Sequence, residues 1–393
     1  MDFSKYFDWA ATTPSDEEIL QDSLREACAN FANPSANHSE GKKARDIFEK
    51  ARAECASAIG VKAEEVYFTS GGTESDQIPL LALLNREPDS EGRRGKILIS
   101  SIEHPAIREQ AHALKKAGFT VESINPDNSG FIDPDSVAAK ITPDTVYVTV
   151  MAVNNETGCV QDIYAISDAI TRASKGKRRP HFHVDCVQAA GKIPLDLNYP
   201  GIDSAALSAH KLRGPRGIGI LVLRRPIKPF LLGGGQEKSV RSGTENLFGA
   251  LAFSKCLSKY FIKKNEKTAD EQQKSFDFVT KLNSIRDCTL IPECRTDKDN
   301  LDKFSPYVVQ AAFKGIPGNV MVRALDSKGF SISTGSACSA KKQSRPILSA
   351  MGVRGDLQET AVRFSFGRET SERDLDALFN AVLEVCRDFS LEI

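Results

Sequence analysis

The chain has 393 residues, which at roughly 150 residues per domain is enough for two to three domains and a large buried core. The 52 Lys and Arg residues balance 52 Asp and Glu residues, so no net charge attracts nucleic acid or an anionic membrane. A hydrophobic fraction of 40% is ordinary for a folded protein, and no apolar run approaches the roughly 20 residues that span a bilayer. These values exclude small disulfide-stapled scaffolds, disordered chains and generic charge-driven binders.

The cysteines and the N-terminal residues indicate the redox environment. Residues 1–5 carry neither the apolar core of a signal peptide nor an Arg-rich presequence. The nine cysteines are an odd number, and no two have Cys-x-x-Cys spacing. We therefore expect a cytoplasmic protein with reduced thiols, without a disulfide framework and without a zinc ribbon or other metal site.

The predicted elements begin with helices and continue with alternating strands and helices. A Ser-x-x-Glu capping box at Ser15 and Glu18 predicts a first helix, and a second runs from about Ser39 to Gly60. Strands are predicted at 66–70, 96–101, 120–124, 145–150, 181–185, 203–207 and 219–223, and helices at 74–85, 104–116, after 133 and at 163–174. This alternation predicts an α/β fold with a mainly parallel seven-stranded sheet between helices.

The C-terminal part predicts a smaller α+β domain. A helical pattern at 245–264 is followed by a charged, weakly patterned stretch through 273, which we interpret as a linker. Strand patterns follow at 308–313 and 362–366, and helical patterns at 320–328 and 371–389. The sequence shows neither an internal repeat nor a low-complexity segment.

Two candidate binding motifs follow predicted strands, where open parallel sheets bind ligands. Gly71-Gly72-Thr73 precedes a helix, so its N–H groups, a hydroxyl and the helix dipole can hold a phosphate; the alternative is a purely structural turn. His183 and Asp185 share one side of a strand, and Asp185 can keep a ring nitrogen protonated, with Gln188 in reach of the same ligand. A satisfied buried Asp is the alternative, and a metal site here lacks a third ligand.

Two candidate nucleophiles have unusual surroundings. Lys211 ends the motif Ser208-Ala209-His210-Lys211 after an apolar strand, where desolvation would make its amine reactive toward aldehydes; alternatively it reaches solvent. Cys338 lies among small residues at 335–340 beside two lysines, which suggests an accessible thiolate and makes it the best candidate of the nine; the alternative is an inert thiol. A phosphate cradle, an acid, a lysine and a thiol together point to pyridoxal 5′-phosphate (PLP). Arg363 would then bind an amino-acid carboxylate, unless it forms a structural salt bridge.

Motifs along nearly the whole chain resemble one family, the PLP-dependent cysteine desulfurases of the NifS/IscS type within the class V aminotransferases. The resemblance rests on these segments: residues 8–14 (DWAATTP), 33–35 (NPS) with His38 and Gly41, 68–75 (FTSGGTES), Glu103-His104, 153–158 (VNNETG), 183–185 (HVD), 208–211 (SAHK), 241–244 (RSGT) and 335–338 (GSAC). Trp9 and Cys186 depart from the usual residues, but neither removes a functional group.

The resemblance implies a fold-type-I PLP-dependent transferase that is active as a homodimer. It implies a large PLP-binding domain at 15–262, and a small domain at 1–14 and 263–393 that carries a catalytic cysteine loop at about 333–346. The implied catalytic residues are Lys211, which bonds the cofactor aldehyde, His104, which stacks on its ring and moves protons, and Cys338. The implied cofactor ligands are Gly72, Thr73, Asn155, Asp185, Gln188, Ser208, His210 and, from the partner subunit, Thr244. Asn33, Asn155 and Arg363 match positions that bind the substrate.

The implied reaction removes sulfur from L-cysteine, leaving L-alanine and a persulfide on Cys338 for an acceptor protein of iron–sulfur cluster assembly or thiolation. A selenocysteine lyase, or another class V lyase or aminotransferase, is the alternative enzyme. An aminotransferase would have no use for the Cys338 thiol. A scaffold protein that has lost catalysis is a further alternative, disfavoured because Lys211, Asp185, His104 and Cys338 are all present.

Overall fold

A computed structural model describes residues 2–263, 266, 268–335 and 345–389. The elements up to residue 260 are α1 (Glu17–Ala29), α2 (Ser39–Ile59), β1 (Val66–Thr69), α3 (Gly72–Leu81), β2 (Gly95–Ser100), α4 (Pro105–Lys115), β3 (Phe119–Ile124), α5 (Pro134–Ala139), β4 (Thr145–Thr149), α6 (Ile163–Ala173), β5 (His181–Asp185), β6 (Ser204–Ser208), β7 (Gly219–Leu223) and α7 (Leu247–Tyr260). The later ones are α8 (Ala269–Asn283), β8 (Cys288–Ile291), β9 (Val308–Phe313), α9 (Gly318–Ser327), α10 (Pro346–Ala350), α11 (Gly355–Thr360), β10 (Ala361–Ser365) and α12 (Glu372–Asp388).

The predicted seven-stranded sheet is confirmed, with strand order β1-β7-β6-β5-β4-β2-β3. Strands β2 to β6 pair in parallel, whereas β7 is antiparallel to both β6 and β1. The short connection from β6 to β7, residues 209–218, explains the reversal, because a parallel crossover needs a dozen or more residues. Strands β5 and β6 therefore end at the same edge of the sheet. The Asp185 motif is the end of β5 and the Lys211 motif begins at the end of β6, so both motifs lie at this edge.

Two predictions about individual elements were wrong, and one strand was missed. Helix α1 begins after Asp16, whose carboxylate accepts a hydrogen bond from the Ile19 N–H, so Asp16 and not Ser15 is its cap. Residues 269–273 belong to α8 and not to a linker, because this helix buries Phe278 and other apolar residues while exposing its charged side chains. Strand β8 was not predicted, since it contributes only four residues to the smaller sheet.

Among the described residues, the two largest hydrophobic cores pack against the two sheets. The larger core packs the seven-stranded sheet against α2, α6 and α7. The second lies around the antiparallel sheet β10-β9-β8, where α8 and α12 pack together with Phe7 and Trp9. The proposed domain boundaries at 15 and 262 remain a prediction. Within the described ranges, no helix combines the length and apolar character needed to cross a membrane.

The N-terminal segment, residues 6–13, connects both parts of the molecule. Tyr6 and Asp8 form β-bridges with Ser331 and Ser365 of the smaller part. A few residues later, the Thr13 N–H donates to the carbonyl oxygen of His210, at 3.0 Å, in the larger part. The backbone between these anchors, residues 9–12, therefore passes directly beside the carboxyl ends of β5 and β6.

Candidate active site

A cavity of about 280 Å³ lies at the carboxyl ends of β5 and β6. It brings together ten residues that the sequence predicts for the site: Gly72, Thr73, His104, Asn155, Asp185, Gln188, Ser208, His210, Lys211 and Arg363. Ala10, Ala11 and Gly335 also line it. The cavity is therefore built from the large sheet, from the N-terminal segment and from Gly335 of the predicted cysteine loop.

Lys211 enters the cavity from a tight turn after β6. A 3₁₀ turn covers Ala209–Lys211, and the Gly214 N–H closes the loop by donating to the Ala209 carbonyl oxygen at 2.8 Å. A Cβ atom at Gly214 would lie 2.8 Å from the Ala209 Cβ, so this turn requires glycine. The Lys211 Nζ donates to the carbonyl oxygens of Ala10 and Ala11, at 2.5 and 2.6 Å. The amine is thus held at the cavity wall by backbone oxygens.

Asp185 ends β5 and forms the acidic part of the cavity. Its side chain is 4% exposed, and its Oδ1 accepts a hydrogen bond from the Val187 N–H at 2.8 Å. Burial, reinforced by the nearby Asp76, raises the pKa of Asp185 to about 8. A cation that enters the cavity would stabilise the ionised form of this carboxyl group. A protonated pyridine nitrogen is such a cation.

A buried hydrogen-bond chain runs along the sheet beneath Asp185. The His183 Nε2 lies 3.0 Å from the Asp76 Oδ1, and its Nδ1 lies 2.7 Å from the Ser204 Oγ. The same Ser204 oxygen lies 2.7 Å from the His181 Nε2. Burial lowers the pKa of both His181 and His183 to about 4, which favours neutral imidazoles. His183 is therefore hydrogen-bonded to other side chains and does not line the cavity.

His104 caps a helix and also lines the cavity. Its Nδ1 accepts a hydrogen bond from the Ala106 N–H and so caps α4, while its ring lines the cavity. Burial, with the nearby cations Lys211 and Arg108, lowers the pKa of His104 to about 4. The neutral ring retains Nε2 for proton transfer, and an uncharged imidazole can stack on an aromatic ring.

The glycine turn before α3 suits a phosphate group. Gly72 begins α3, so N–H groups of the first turn point toward the cavity. A Cβ atom at Gly72 would lie 2.6 Å from the Val187 Cγ2, so any side chain at this position would clash with Val187. Thr73, Ser208 and His210 line both the cavity and an adjoining cleft. The residues present therefore fit a phosphorylated pyridine aldehyde. The glycine turn would bind the phosphate, Asp185 the ring nitrogen and Lys211 the aldehyde.

Arg363 lines the cavity and already has partners. It is 2% exposed and donates to the Asp8 Oδ1 at 2.7 Å and to the carbonyl oxygens of Asn155 and Gly335, at 2.9 and 3.2 Å. Its Nε and the Asn155 Oδ1 are buried without a hydrogen-bond partner. The alternative of a structural salt bridge is therefore confirmed, and the substrate-binding role of Arg363 remains a prediction.

Two predicted site residues lie outside the cavity, and a third falls outside the described residues. Asn33 is exposed and accepts a hydrogen bond from the Ser35 N–H, and Thr244 is exposed beside a separate small cleft. Cys338 falls in residues 336–344, outside the described residues, and follows the cavity residue Gly335 by three positions. The roles of these three residues remain predictions.

Sequence reasoning missed several groups at the cavity. Asp76 is one, because its contact with His183 arises only when α3 packs on β5. The Ala10 and Ala11 carbonyl oxygens are others, since backbone atoms leave no trace in a sequence pattern. Lys192, which does not line the cavity, was also missed: its Nζ donates to the Gln188 Oε1, and its spacing of four residues from Gln188 was an available signal.

Comparison with known proteins identifies the family. The family described as "Aminotransferase class-V" matches residues 5–378. This chain belongs to the class V aminotransferase family. Within it, cysteine desulfurase IscS 1 of Archaeoglobus fulgidus is 35% identical, and the match covers 98% of each chain. Cysteine desulfurase IscS of Dictyoglomus turgidum is 33% identical over 94% of this chain and 91% of its own length.

Solved structures of the family agree with the fold. A NifS-like protein superimposes with a TM-score of 0.85 at 29% identity, covering 98% of this chain and 99% of the other. A structure described as SspA in complex with cysteine gives a TM-score of 0.76 at 29% identity, covering 92% and 98%. These matches confirm the predicted family and the predicted fold class. They also confirm the predicted activity class, because the family is PLP-dependent and its named relatives include cysteine desulfurases.

Proposed function

We propose that this protein is a cysteine desulfurase that binds PLP and transfers the sulfur of L-cysteine to Cys338. The observation that carries the proposal is the convergence of Lys211, Asp185, His104 and Arg363 on one cavity, which Gly335 also lines. Relatives named cysteine desulfurase, 35% identical over nearly the full length, support the same activity. Bound PLP would supply an electron sink for the carbanion formed at the substrate Cα.

The protein groups would divide the reaction between them. Lys211 would bond the cofactor aldehyde and then, released as an amine by the substrate, take the proton from Cα. The Asp185 carboxylate would pair with the ring nitrogen, and Gln188 with the phenolic oxygen. Arg363 and Asn155 would hold the substrate carboxylate, which leaves the substrate sulfur free to face the residues that follow Gly335. The neutral imidazole of His104 would move protons above the ring.

The sulfur transfer balances without an added oxidant. The Cys338 thiolate attacks the sulfur of the substrate, so an S–S bond forms as the substrate C–S bond breaks. The electron pair of the broken bond goes to the substrate carbon, which takes up a proton and is released as L-alanine. A persulfide remains on Cys338 for transfer to an acceptor protein in iron–sulfur cluster assembly or thiolation.

The test uses the variant Cys338→Ala, with Cys28→Ala as the matched control because Cys28 is an exposed cysteine. We expect Cys338→Ala to bind PLP and L-cysteine with wild-type spectra but to release little sulfide or alanine. Mass spectrometry should find a persulfide on Cys338 of the wild type and of Cys28→Ala. Full sulfide release by Cys338→Ala would overturn the mechanism. Turnover of selenocysteine but not cysteine by that variant would instead favour a selenocysteine lyase.

Cofactor attachment has a separate test. The variant Lys211→Ala removes the amine that would bond the aldehyde, so the visible absorption band of the wild type should be absent. A wild-type protein that stays colourless after addition of PLP would refute cofactor binding and favour the non-catalytic alternative.

We also propose that the enzyme works as a homodimer in a reducing compartment such as the cytoplasm. Phe31, Leu231 and Leu232 are exposed by 82, 68 and 75%, which is unusual for large apolar side chains. Phe31 lies near Asn33, and all three would be covered by a second subunit. The cysteines of the described residues are all free thiols, in keeping with a reducing environment. Light scattering should give twice the chain mass of 42.9 kDa.

A further inference from the structure

Lys192 is a buried lysine without an acidic partner. It follows β5 by seven residues and is 6% exposed. Across the part of the chain that the structure describes, no carboxylate lies within 4.0 Å of its Nζ. An unpaired ammonium is costly to bury. Burial, with the nearby cations Lys211 and Arg363, lowers the pKa of Lys192 well below its usual value. These surroundings favour an uncharged amine.

The contacts of Lys192 lead directly to the cavity. Its Nζ donates to the Gln188 Oε1, and the Gln188 Nε2 donates to the Ala10 carbonyl oxygen at 2.8 Å. The same carbonyl oxygen accepts a hydrogen bond from the Lys211 Nζ at 2.5 Å. Lys192 is therefore connected to the predicted Schiff-base lysine through one side-chain amide and one backbone carbonyl.

These contacts determine which way the Gln188 amide faces. A carbonyl oxygen can only accept hydrogen bonds, so the Ala10 oxygen requires the NH₂ end of Gln188, and Lys192 then binds the oxygen end. An amide NH₂ carries two hydrogens, and the Ala10 oxygen uses one. The second hydrogen is available on the side chain that lines the cavity.

We propose that Lys192 is a positioning residue that holds the Gln188 amide with its NH₂ group toward the cavity, where it serves the phenolic oxygen of PLP. This inference rests on the proposed function. Without the Lys192 amine, the Ala10 oxygen alone would hold the amide in this orientation, and each turned amide would present its oxygen to the phenolic oxygen and replace a hydrogen bond by repulsion. Lys192 would thus act on the cofactor only through Gln188.

A double-mutant cycle separates this role from simple packing. Lys192→Met keeps an unbranched side chain but cannot donate, and Gln188→Met removes the amide. We expect Lys192→Met to weaken PLP binding to the apoprotein about tenfold to a hundredfold, the loss typical of one hydrogen bond to a charged group. In the Gln188→Met background, the same substitution should change the dissociation constant less than about twofold.

Further readouts make the test specific. The pH midpoint of the cofactor absorbance should shift in Lys192→Met and not shift further in the double variant. Lys96→Met is the matched control, because Lys96 is a lysine 8% exposed at the start of β2, paired with Glu122. It should bind PLP as the wild type does, and circular dichroism monitors folding of every variant.

The outcomes are distinguishable. An equal loss of affinity in both Gln188 backgrounds, or wild-type affinity and spectra in Lys192→Met, overturns the positioning role. A wild type that does not bind PLP overturns the proposed function and this inference with it. Loss of affinity in Lys192→Met that disappears in the Gln188→Met background supports the inference.

Discussion

Replacing Asp185 by Asn should stabilise the cofactor-free protein while damaging the enzyme. Burial raises the pKa of Asp185 from 3.8 to about 8, so the carboxyl group binds its proton more tightly in the folded than in the unfolded chain. Its contribution to stability is therefore complete below the unfolded pKa near 4 and is lost as the pH rises towards about 8. Each pH unit in this window costs about 1.4 kcal/mol, or about 3 kcal/mol between pH 5 and 7.

The variant Asp185→Asn cannot ionise, and its amide oxygen can still accept the hydrogen bond from the Val187 N–H. The difference in unfolding free energy between variant and wild type should therefore grow in favour of the variant by about 3 kcal/mol from pH 5 to 7. Urea denaturation of the cofactor-free proteins, followed by circular dichroism, measures this difference. Asp162→Asn, an exposed carboxyl that also accepts a backbone hydrogen bond, controls for the change in net charge.

Addition of PLP should reverse the order of stability. In the wild type a protonated ring nitrogen would restore the ionised state of Asp185, so ligand binding stabilises the protein. Asp185→Asn lacks this charge and should gain less from PLP. Parallel pH dependences for the two cofactor-free proteins would refute the reasoning, because they would mean that Asp185 has no raised pKa in the folded state.

Two further substitutions test the cradle and the arginine. Gly72→Ala places a Cβ atom 2.6 Å from the Val187 Cγ2; it should cost about 1–3 kcal/mol of stability in urea denaturation and weaken PLP binding, and wild-type affinity would contradict the predicted cradle. Arg363→Lys keeps the charge but loses the planar fork; it should raise KM for L-cysteine about tenfold or more with the cofactor absorbance unchanged, whereas a normal KM would exclude Arg363 as the carboxylate ligand.

Sequence patterns predicted the large sheet because its strands are short apolar runs separated by clear turns. Strand β6 is buried along its whole length and β5 from its second residue onward, and Asp185 at the end of β5 and Lys211 after β6 meet in the cavity as expected. The first turns of α8 were mistaken for a linker because charges on the exposed face of this helix obscure its apolar stripe.

Contacts between distant elements were beyond the sequence. The pairing of Asp76 with His183 joins residues 107 positions apart and depends on how α3 packs on the sheet. The partners of Arg363 could not be predicted for the same reason, since Asp8 lies 355 positions away. Local patterns identify which residue types can perform the chemistry, whereas tertiary packing decides their partners and protonation states.

The N-terminal segment has a consequence for the order in which the enzyme matures. Its first anchors, Tyr6 and Asp8, leave the ribosome early, yet their bridging partners Ser331 and Ser365 are synthesised more than 300 residues later. At 5–20 residues per second, this interval lasts roughly 15 to 70 seconds. The larger sheet can form during that time, but the segment that carries the Ala10 and Ala11 oxygens is anchored at its Thr13 end alone until the partners of Tyr6 and Asp8 exist. Cofactor capture should therefore follow completion of the chain, and nascent chains arrested before β10 should remain colourless.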